Sequence, residues 1–403
     1  MNLFTIARRG LRQHALSTIV TAASVALAGG LLMSVWVVKR QAQATFTGVN
    51  AGFDAVLGAR GSKLQLVLNA IFHLEASPGN LAWQDYLDIR KNPAVELAVP
   101  LAVGDNYRGY RLVGTTPDLF AKAEYSPGKH FELQPGGDWI DPERREAVVG
   151  DFVARKMNLK VGGQFHPFHG LIYDERNQHS ETYVVVGILK PSNTPADRVI
   201  WIPLAGIQRM SGHDPNAAAD ISAVLVKLKA GSAMSGFQLD MLYNKQGNKL
   251  TFAWPVGAVM AELFGKIGWF DRVLTLVSYL VALVAAGSIL ASIYNSMNER
   301  RRELAIMRAL GARRATVFSA IVLESASIAA LGAAGGFVIY AVLMCVVAGI
   351  MRAQTGVVLE PFKFNPVMLW SPAMFIALGA LAGIVPALKA YRTDVASNLT
   401  PHS

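Results

Sequence analysis

Residues 273–298 read VLTLVSYLVALVAAGSILASIYNSMN, 26 positions without a formal charge. At 1.5 Å per residue a helix of this length spans about 39 Å, more than the roughly 30 Å hydrocarbon core of a bilayer. Three further charge-free runs, residues 13–38, 325–351 and 364–388, are of similar length. Buried helices of a soluble protein would show shorter runs with polar residues at every third or fourth position. The pattern predicts a membrane protein with four transmembrane α-helices, and a large α+β extracytoplasmic domain between the first and second spans.

Charge divides the chain in the same way. Of 403 residues, 52% are hydrophobic and 16% charged, against about 25% charged in an ordinary soluble domain. Residues 39–272 hold 25 Lys+Arg and 23 Asp+Glu, the balance of a water-facing surface, whereas the other 169 residues hold 13 basic and 5 acidic. Of the net charge of +10, +8 therefore lies beside the apolar runs. No basic stripe interleaved with aromatic residues accompanies it, so a nucleic-acid partner is not expected. Cys345 is the sole cysteine, which excludes an intrachain disulfide and a cysteine metal site.

Arginine and lysine set the expected orientation. Arg8, Arg9 and Arg12 precede the first run, six arginines lie within residues 299–314, and Lys389 and Arg392 follow the fourth run. Only Arg352 and Lys363 fall between the third and fourth. The positive-inside rule then places both termini and residues 299–314 in the cytoplasm and the long loop outside. The first run is followed by Ala42-Gln43-Ala44, which looks like a cleavage site, yet it exceeds the apolar core of about 7–15 residues in a signal peptide; retention as an anchor is expected.

The expected organisation is a cytoplasmic amphipathic N-terminal helix at 1–14, spans at 15–38, 273–298, 315–351 and 364–388, and an outer domain at 39–272. A cytoplasmic loop at 299–314, a short outer loop at 352–363 and a cytoplasmic tail at 389–403 complete it. Within the spans, Gly332 and Gly336, Gly379 and Gly383, and Ala22, Ala26 and Gly30 recur at four-residue spacing. Such spacing lets helix backbones approach, within one chain or between two copies. Glu324, early in the third span at 315–351, calls for an interfacial or bundle-facing position.

In the outer domain, residues 184–189, 199–202 and 223–228 read as strands, and residues 81–91 and 145–159 as helices. No catalytic residue emerges: nucleophile elbow, HExxH and GxxxxGK[ST] are all missing from the sequence. Six of the eight histidines, His73, His130, His166, His169, His179 and His213, lie in this loop. His166-Pro167-Phe168-His169 brings two imidazoles close in sequence, but proline disfavours a regular helix and no further ligand is apparent. Solvated loop histidines are expected, and no metal-ligating or cofactor-binding residue is assigned. The cluster Asp141-Pro142-Glu143-Arg144-Arg145-Glu146 is read as helix capping.

Residues 299–312 read ERRRELAIMRALGA. Good helix formers fill this stretch, Leu304, Met307 and Leu310 share a stripe, and Gly311 can end the helix. A basic amphipathic helix at the cytoplasmic face is a handle for a partner protein.

This stretch resembles the MacB/FtsX permeases of ABC transporters, whose loop after the second span has the form E-R-x-R-E-[IL]-[AG]-I-x-[KR]-A-[LV]-G-A. Glu299, Arg300, Arg302, Glu303, Leu304, Ala305, Ile306, Arg308, Ala309, Leu310, Gly311 and Ala312 match it. The family's order of one span, a large periplasmic domain and three more spans is similar to the order here. Residues 112–120, 127–131, 147–150 and 161–163 resemble landmarks of the MacB-like periplasmic core domain.

The resemblance implies an ATPase on a separate polypeptide, docked on Glu299, Arg300, Arg302, Glu303, Leu304, Ile306, Arg308, Ala309, Gly311 and Ala312. ATP and Mg would be bound there, with no cofactor on this chain and no enzymatic activity of its own. It also implies a second permease copy, identical or paralogous, an inner-membrane location, and an N-terminal helix lying along the membrane lipid. The implied action is mechanotransmission: ATP-driven closure moves the second span and does work at the periplasmic side, for export, extraction or efflux. An FtsX-like transmitter that regulates a periplasmic hydrolase is the alternative, with a periplasmic protein as its partner.

Overall fold

The computed structural model describes residues 3–48, 52–213, 219–231, 233–266, 268–299, 306, 308–309, 311–355 and 358–392. The chain opens with α1 (Leu3–Gln13) and α2 (Ala15–Gly48). There follow β1 (Ala55–Ala59), α3 (Lys63–Ala70), α4 (Trp83–Arg90), β2 (Val95–Tyr107), β3 (Tyr110–Thr115), α5 (Asp118–Lys122), β4 (Glu124–Ser126) and β5 (Lys129–His130). Next come β6 (Glu146–Val149), α6 (Asp151–Met157), β7 (Gln164–Phe165), β8 (Phe168–His169), β9 (Tyr183–Ile188), β10 (Ile200–Pro203) and α7 (Leu204–Gln208). The last group is β11 (Ala223–Leu228), α8 (Ala233–Met241), β12 (Leu250–Ala253), α9 (Val256–Lys266), α10 (Gly268–Glu299), α11 (Arg314–Thr355) and α12 (Val367–Arg392). These elements form two compact units, one of Met1–Gln41, Ile267–Ile350 and Leu359–Ser403, the other of Ala42–Lys266 and Met351–Val358.

In the helical unit, four helices are long and apolar enough to cross a membrane: Ala15–Ala44, Arg272–Met297, Arg314–Gln354 and Val367–Lys389. They share one core, in which Val25, Ala28 and Leu32 of α2 meet Ala285 and Ile289 of α10, Ile328 and Ala329 of α11, and Phe375 of α12. The small-residue stripes explain how the backbones come together. A Cβ at Gly332 of α11 would lie 2.5 Å from the Val25 Cβ and 2.8 Å from the Ala22 carbonyl oxygen of α2. One at Gly30 would lie 2.6 Å from the Ile339 Cβ, and one at Gly379 of α12 would lie 2.4 Å from the Ala329 Cβ. The three stripes thus join α2 to α11 and α11 to α12 within one chain, where dispersion and close approach replace the missing hydrophobic drive. Glu324 is buried in this unit.

The other unit is α+β, built on a mixed sheet of order β12-β1-β11-β2-β3-β10-β6-β9-β7, with β8 paired to β2 off this path. Strand pairs are antiparallel except β10 with β3 and β6 with β9. The sheet is buried on both faces, which is why its central strands read as continuous apolar runs. Successive residues feed opposite cores, as the two-residue side-chain period requires. In β11, Val224, Val226 and Leu228 enter one core while Ala223 and Leu225 enter the other. In β10, Ile200 and Ile202 oppose Trp201 in the same manner.

The strands expected at 184–189, 199–202 and 223–228 fall on β9, β10 and β11, and the helix expected at 81–91 on α4. The helix expected at 145–159 is instead strand β6 followed by α6. Val148 and Val149 favour extended backbone, and Gly150 sits at the N-cap with φ −61° and ψ 143°, so the helix begins at Asp151. The 141–146 charge cluster consequently precedes a strand and caps no helix: Arg144 ion-pairs with Asp141 at 3.3 Å and with Glu146 at 3.7 Å.

Candidate functional site

Two sets of residues are candidates for a functional role, one in each unit. Of the residues expected to couple to an ATPase, Arg300, Arg302, Glu303 and Leu304 lie outside the described residues. Glu299 is the last residue of α10. Ile306, Arg308 and Ala309 are helical, with Ile306 exposed. Gly311 has φ +96° and donates its N–H to the Arg308 carbonyl at 3.0 Å. That left-handed conformation ends a helix at low cost only for glycine. Ala312 is half-buried, and α11 starts two residues later at Arg314.

The second set assembles in the α+β unit, around Asp105. β2 is thirteen residues long, and its pairing with β3 is irregular between Val103 and Asn106. Beyond that irregularity Asp105 pairs with His169 of β8, and Asn106 with Phe168. The Asn106 amide, fully buried, holds this junction: it donates to the Gly170 carbonyl at 2.8 Å and accepts from the Gly109 N–H at 3.0 Å. The chain returns so that the His179 N–H donates to the Pro167 carbonyl at 2.9 Å. After α7 it turns at Met210, whose carbonyl accepts from the His213 N–H at 3.3 Å. Glu181 anchors this turn, accepting from the Ser211 N–H at 2.9 Å and the Ser211 hydroxyl at 2.8 Å.

The outcome is three imidazoles facing one carboxylate oxygen. His179 Nε2 is 3.1 Å, His213 Nε2 3.2 Å and His169 Nδ1 3.4 Å from Asp105 Oδ1. The four candidate ligand atoms all lie within 4.8 Å of one another. The three rings stand 5.1–5.4 Å apart at steep mutual angles, in a propeller. Asp105 is fully buried and its Oδ2 has no hydrogen-bond partner. The hydrogen bond that the Asp105 carboxylate accepts from His213 raises the His213 pKa above its ordinary value, against the opposing effect of burial. His169 is about half exposed, with a side chain 54% accessible, and with His213 it lines an open cleft of about 380 Å3.

His179 and His213 are thus not the solvated loop residues expected from the sequence, whereas His169 is half exposed as well as facing Asp105. His166, the neighbour of His169 across Pro167, instead meets the Glu181 carbonyl at 3.1 Å. His130 is exposed beside Glu124. His73 packs edge-on against Trp201 with its ring held neutral, its pKa drawn down to about 3 by burial and the Arg111 charge. Sequence reading missed Asp105 altogether, and the signs of the rest were a surplus of histidines in one loop and the pairing of His166 with His169 across Pro167 and Phe168. Among the described residues, no nucleophile, base and orienting group come together as a catalytic set.

A bundle of four membrane-length apolar helices with a large α+β domain inserted between the first and second defines the class: an integral membrane protein of permease architecture. Comparison with known families agrees. The MacB-like periplasmic core domain matches residues 15–241 and the FtsX-like permease C-terminal domain matches residues 275–395. The chain belongs to the MacB/FtsX-type permease family.

Relatives include the macrolide export ATP-binding/permease protein MacB of Brucella melitensis, 24% identical over 96% of this chain and 58% of that protein. MacB of Escherichia coli strain K12 is 25% identical over 78% of this chain and 48% of its own length. The chain therefore spans about half the length of the curated relatives it matches. The crystal structure of the periplasmic region of MacB from Actinobacillus actinomycetemcomitans aligns with 53% of this chain and 94% of its own, at 12% identity and a TM-score of 0.36. Family membership makes this chain a permease-type membrane protein.

Proposed function

We propose that the chain is the membrane subunit through which a separate cytoplasmic ATPase does work on the periplasmic side, in export, extraction or efflux. The observation that carries this reading is the segment 299–312, ERRRELAIMRALGA, placed between the second and third apolar helices of a family permease. The reading places ATP hydrolysis outside these 403 residues, which contain no GxxxxGK[ST] phosphate loop. All four apolar helices span the membrane, with both termini and residues 299–314 in the cytoplasm, as the distribution of arginine and lysine favours. Helix α1, with Arg8, Arg9 and Arg12, lies along the inner surface.

Two permease copies, identical or paralogous, face two ATPase subunits, each ATPase gripping Ile306, Arg308 and their neighbours. ATP-driven closure of the ATPase pair then moves the segment and, through it, α10 and α11. The active site for hydrolysis is wholly on the partner, and this chain contributes force transmission.

The test is reconstitution with the partner ATPase. Glu303→Lys inverts a charge in the docking segment. Gly311→Asp forces a side chain into a left-handed backbone, at a cost of about 1–2 kcal/mol. Each is expected to abolish the stimulation of ATP hydrolysis by the permease while leaving membrane insertion intact. Stimulation equal to that of the parent in both variants contradicts the proposal.

A further inference from the structure

We propose that Asp105, His169, His179 and His213 form a binding site for a divalent transition-metal ion, with Zn2+ the preferred occupant. The inference stands on the α+β unit alone and is independent of ATPase coupling.

Distance is the first argument. Zinc binds imidazole nitrogen and carboxylate oxygen at about 2.0–2.2 Å, in a tetrahedron whose edges are then about 3.3–3.5 Å. The three separations measured from Asp105 Oδ1, 3.1, 3.2 and 3.4 Å, are close to such edges. The remaining separations, none above 4.8 Å, close by small rotations of the imidazoles. The three-imidazole, one-carboxylate donor set suits zinc, while magnesium and calcium prefer all-oxygen shells.

The second argument is proton accounting. A neutral imidazole donates from one nitrogen and accepts at the other. His213 Nδ1 lies 2.8 Å from the Ile207 carbonyl oxygen, which can only accept, so Nδ1 carries the hydrogen. His213 Nε2 faces Asp105 Oδ1 at 3.2 Å, placed to turn its lone pair to a cation held beside that oxygen. The Ile207 carbonyl would then serve as the outer-shell partner that fixes the ring, as is usual for metal-bound histidine.

The third argument is the carboxylate itself. Three imidazole nitrogens crowd Oδ1, while Oδ2 is buried without a partner. A buried carboxylate with one crowded oxygen and one empty oxygen is poorly served by hydrogen bonds alone. A divalent ion supplies the missing charge. His169, half exposed at the edge of the cleft, gives the ion a way in.

The site would tie three separate segments, the end of β2, the hairpin carrying His169 and His179, and the turn after α7. Its four protein ligands make it a closed site of the structural kind, which orders this end of the sheet.

The full chain, purified in detergent with a tag that contains no polyhistidine, is to be titrated with Zn2+ against a chromophoric zinc chelator and with Co2+ followed by visible absorption. One Zn2+ per chain is expected, with intense visible bands for Co2+ characteristic of a tetrahedral N/O site. His169→Ala and His213→Ala are each expected to weaken Zn2+ binding at least about tenfold, and His166→Ala, outside the cluster, to leave it unchanged. Should loss of the buried His179 or Asp105 prevent folding, the half-exposed His169 and the Co2+ spectrum of the parent chain still decide the matter. Two results overturn the site: the parent chain takes up no stoichiometric Zn2+, a proton on His213 being the only cation present, or Zn2+ binds equally to the parent, His169→Ala and His213→Ala.

Discussion

Lowering the pH tests the packing beneath the sheet through His73. Its ring lies against Trp201 with centroids 5.5 Å apart, and its Nδ1 is buried. Burial and the nearby Arg111 guanidinium draw its pKa from the model-compound value of 6.5 to about 3 in the folded chain. The unfolded chain, with the ordinary value, binds the proton first. Between those two values the unfolded state holds more protons, so stability falls as pH falls. Going from pH 7.5 to pH 5 should cost about 2 kcal/mol through this residue alone, with most of the loss below pH 6.5.

The comparison variant is His73→Asn. Asn cannot titrate, and it tolerates the left-handed backbone that His73 adopts at φ 54°. Urea unfolding of the full chain in detergent, read by tryptophan fluorescence, gives the stability of each protein at both pH values. The variant is expected to be less stable than the parent at pH 7.5, having lost ring packing, but to lose about 2 kcal/mol less on acidification. Parallel losses in the two proteins, equal to within about 0.5 kcal/mol, would refute the assignment of a buried neutral imidazole.

Other consequences can be checked by simpler measurements. Gly332→Leu inserts a side chain where even a Cβ lies 2.5 Å from the Val25 Cβ. Overpacking of about 1–3 kcal/mol should separate α2 from α11. In a Cys345→Ser background, cysteines at Ala26 and Gly335, whose Cβ positions are 3.2 Å apart, should form a disulfide in the parent and not in the Gly332→Leu variant. Asn106→Leu leaves the half-buried Gly170 carbonyl without its donor and returns the Gly109 N–H to solvent. It should cost about 1–3 kcal/mol of domain stability, seen as a lower melting temperature. Gly150→Ala would place its Cβ 2.4 Å from the Asp197 backbone and should destabilise the domain by about 1–3 kcal/mol, read in the same melt.

The membrane architecture was legible because solvent dictates it. A bilayer demands long charge-free helices, and the runs at 13–38, 273–298, 325–351 and 364–388 underlie α2, α10, α11 and α12. The small-residue spacing announced close helix approach, although its partners, Gly332 with Ala22 and Val25 and Gly379 with Ala329, appear only once the bundle is packed. In the α+β unit the central strands stood out as apolar runs because both faces of the sheet are covered. Residues 145–159 misled because Val148 and Val149 also suit a helical stripe, and a single residue, Gly150, separates strand from helix.

The histidine cluster was hidden for a different reason. Asp105 and His213 are 108 residues apart, and no local spacing links them. They meet because β2 runs past its irregularity to pair with β8 and because Glu181 holds the turn after α7. Six histidines in one loop gave the composition of the site, and tertiary pairing selected three of them. The coupling segment is the reverse case. Its order of charges and the spacing of its apolar residues are explicit in residues 299–312, because a docking surface made of consecutive residues, as proposed above, is written locally in the sequence.

The central claim is that a separate ATPase grips this segment inside the cell. Ile306, helical and exposed, is the position from which to ask. A photoreactive amino acid placed there, irradiated in intact cells that express the chain, should capture a nucleotide-hydrolysing subunit. Capture should disappear when Glu303→Lys is added. Crosslinks solely to periplasmic proteins would place the segment on the wrong side of the membrane and contradict the account.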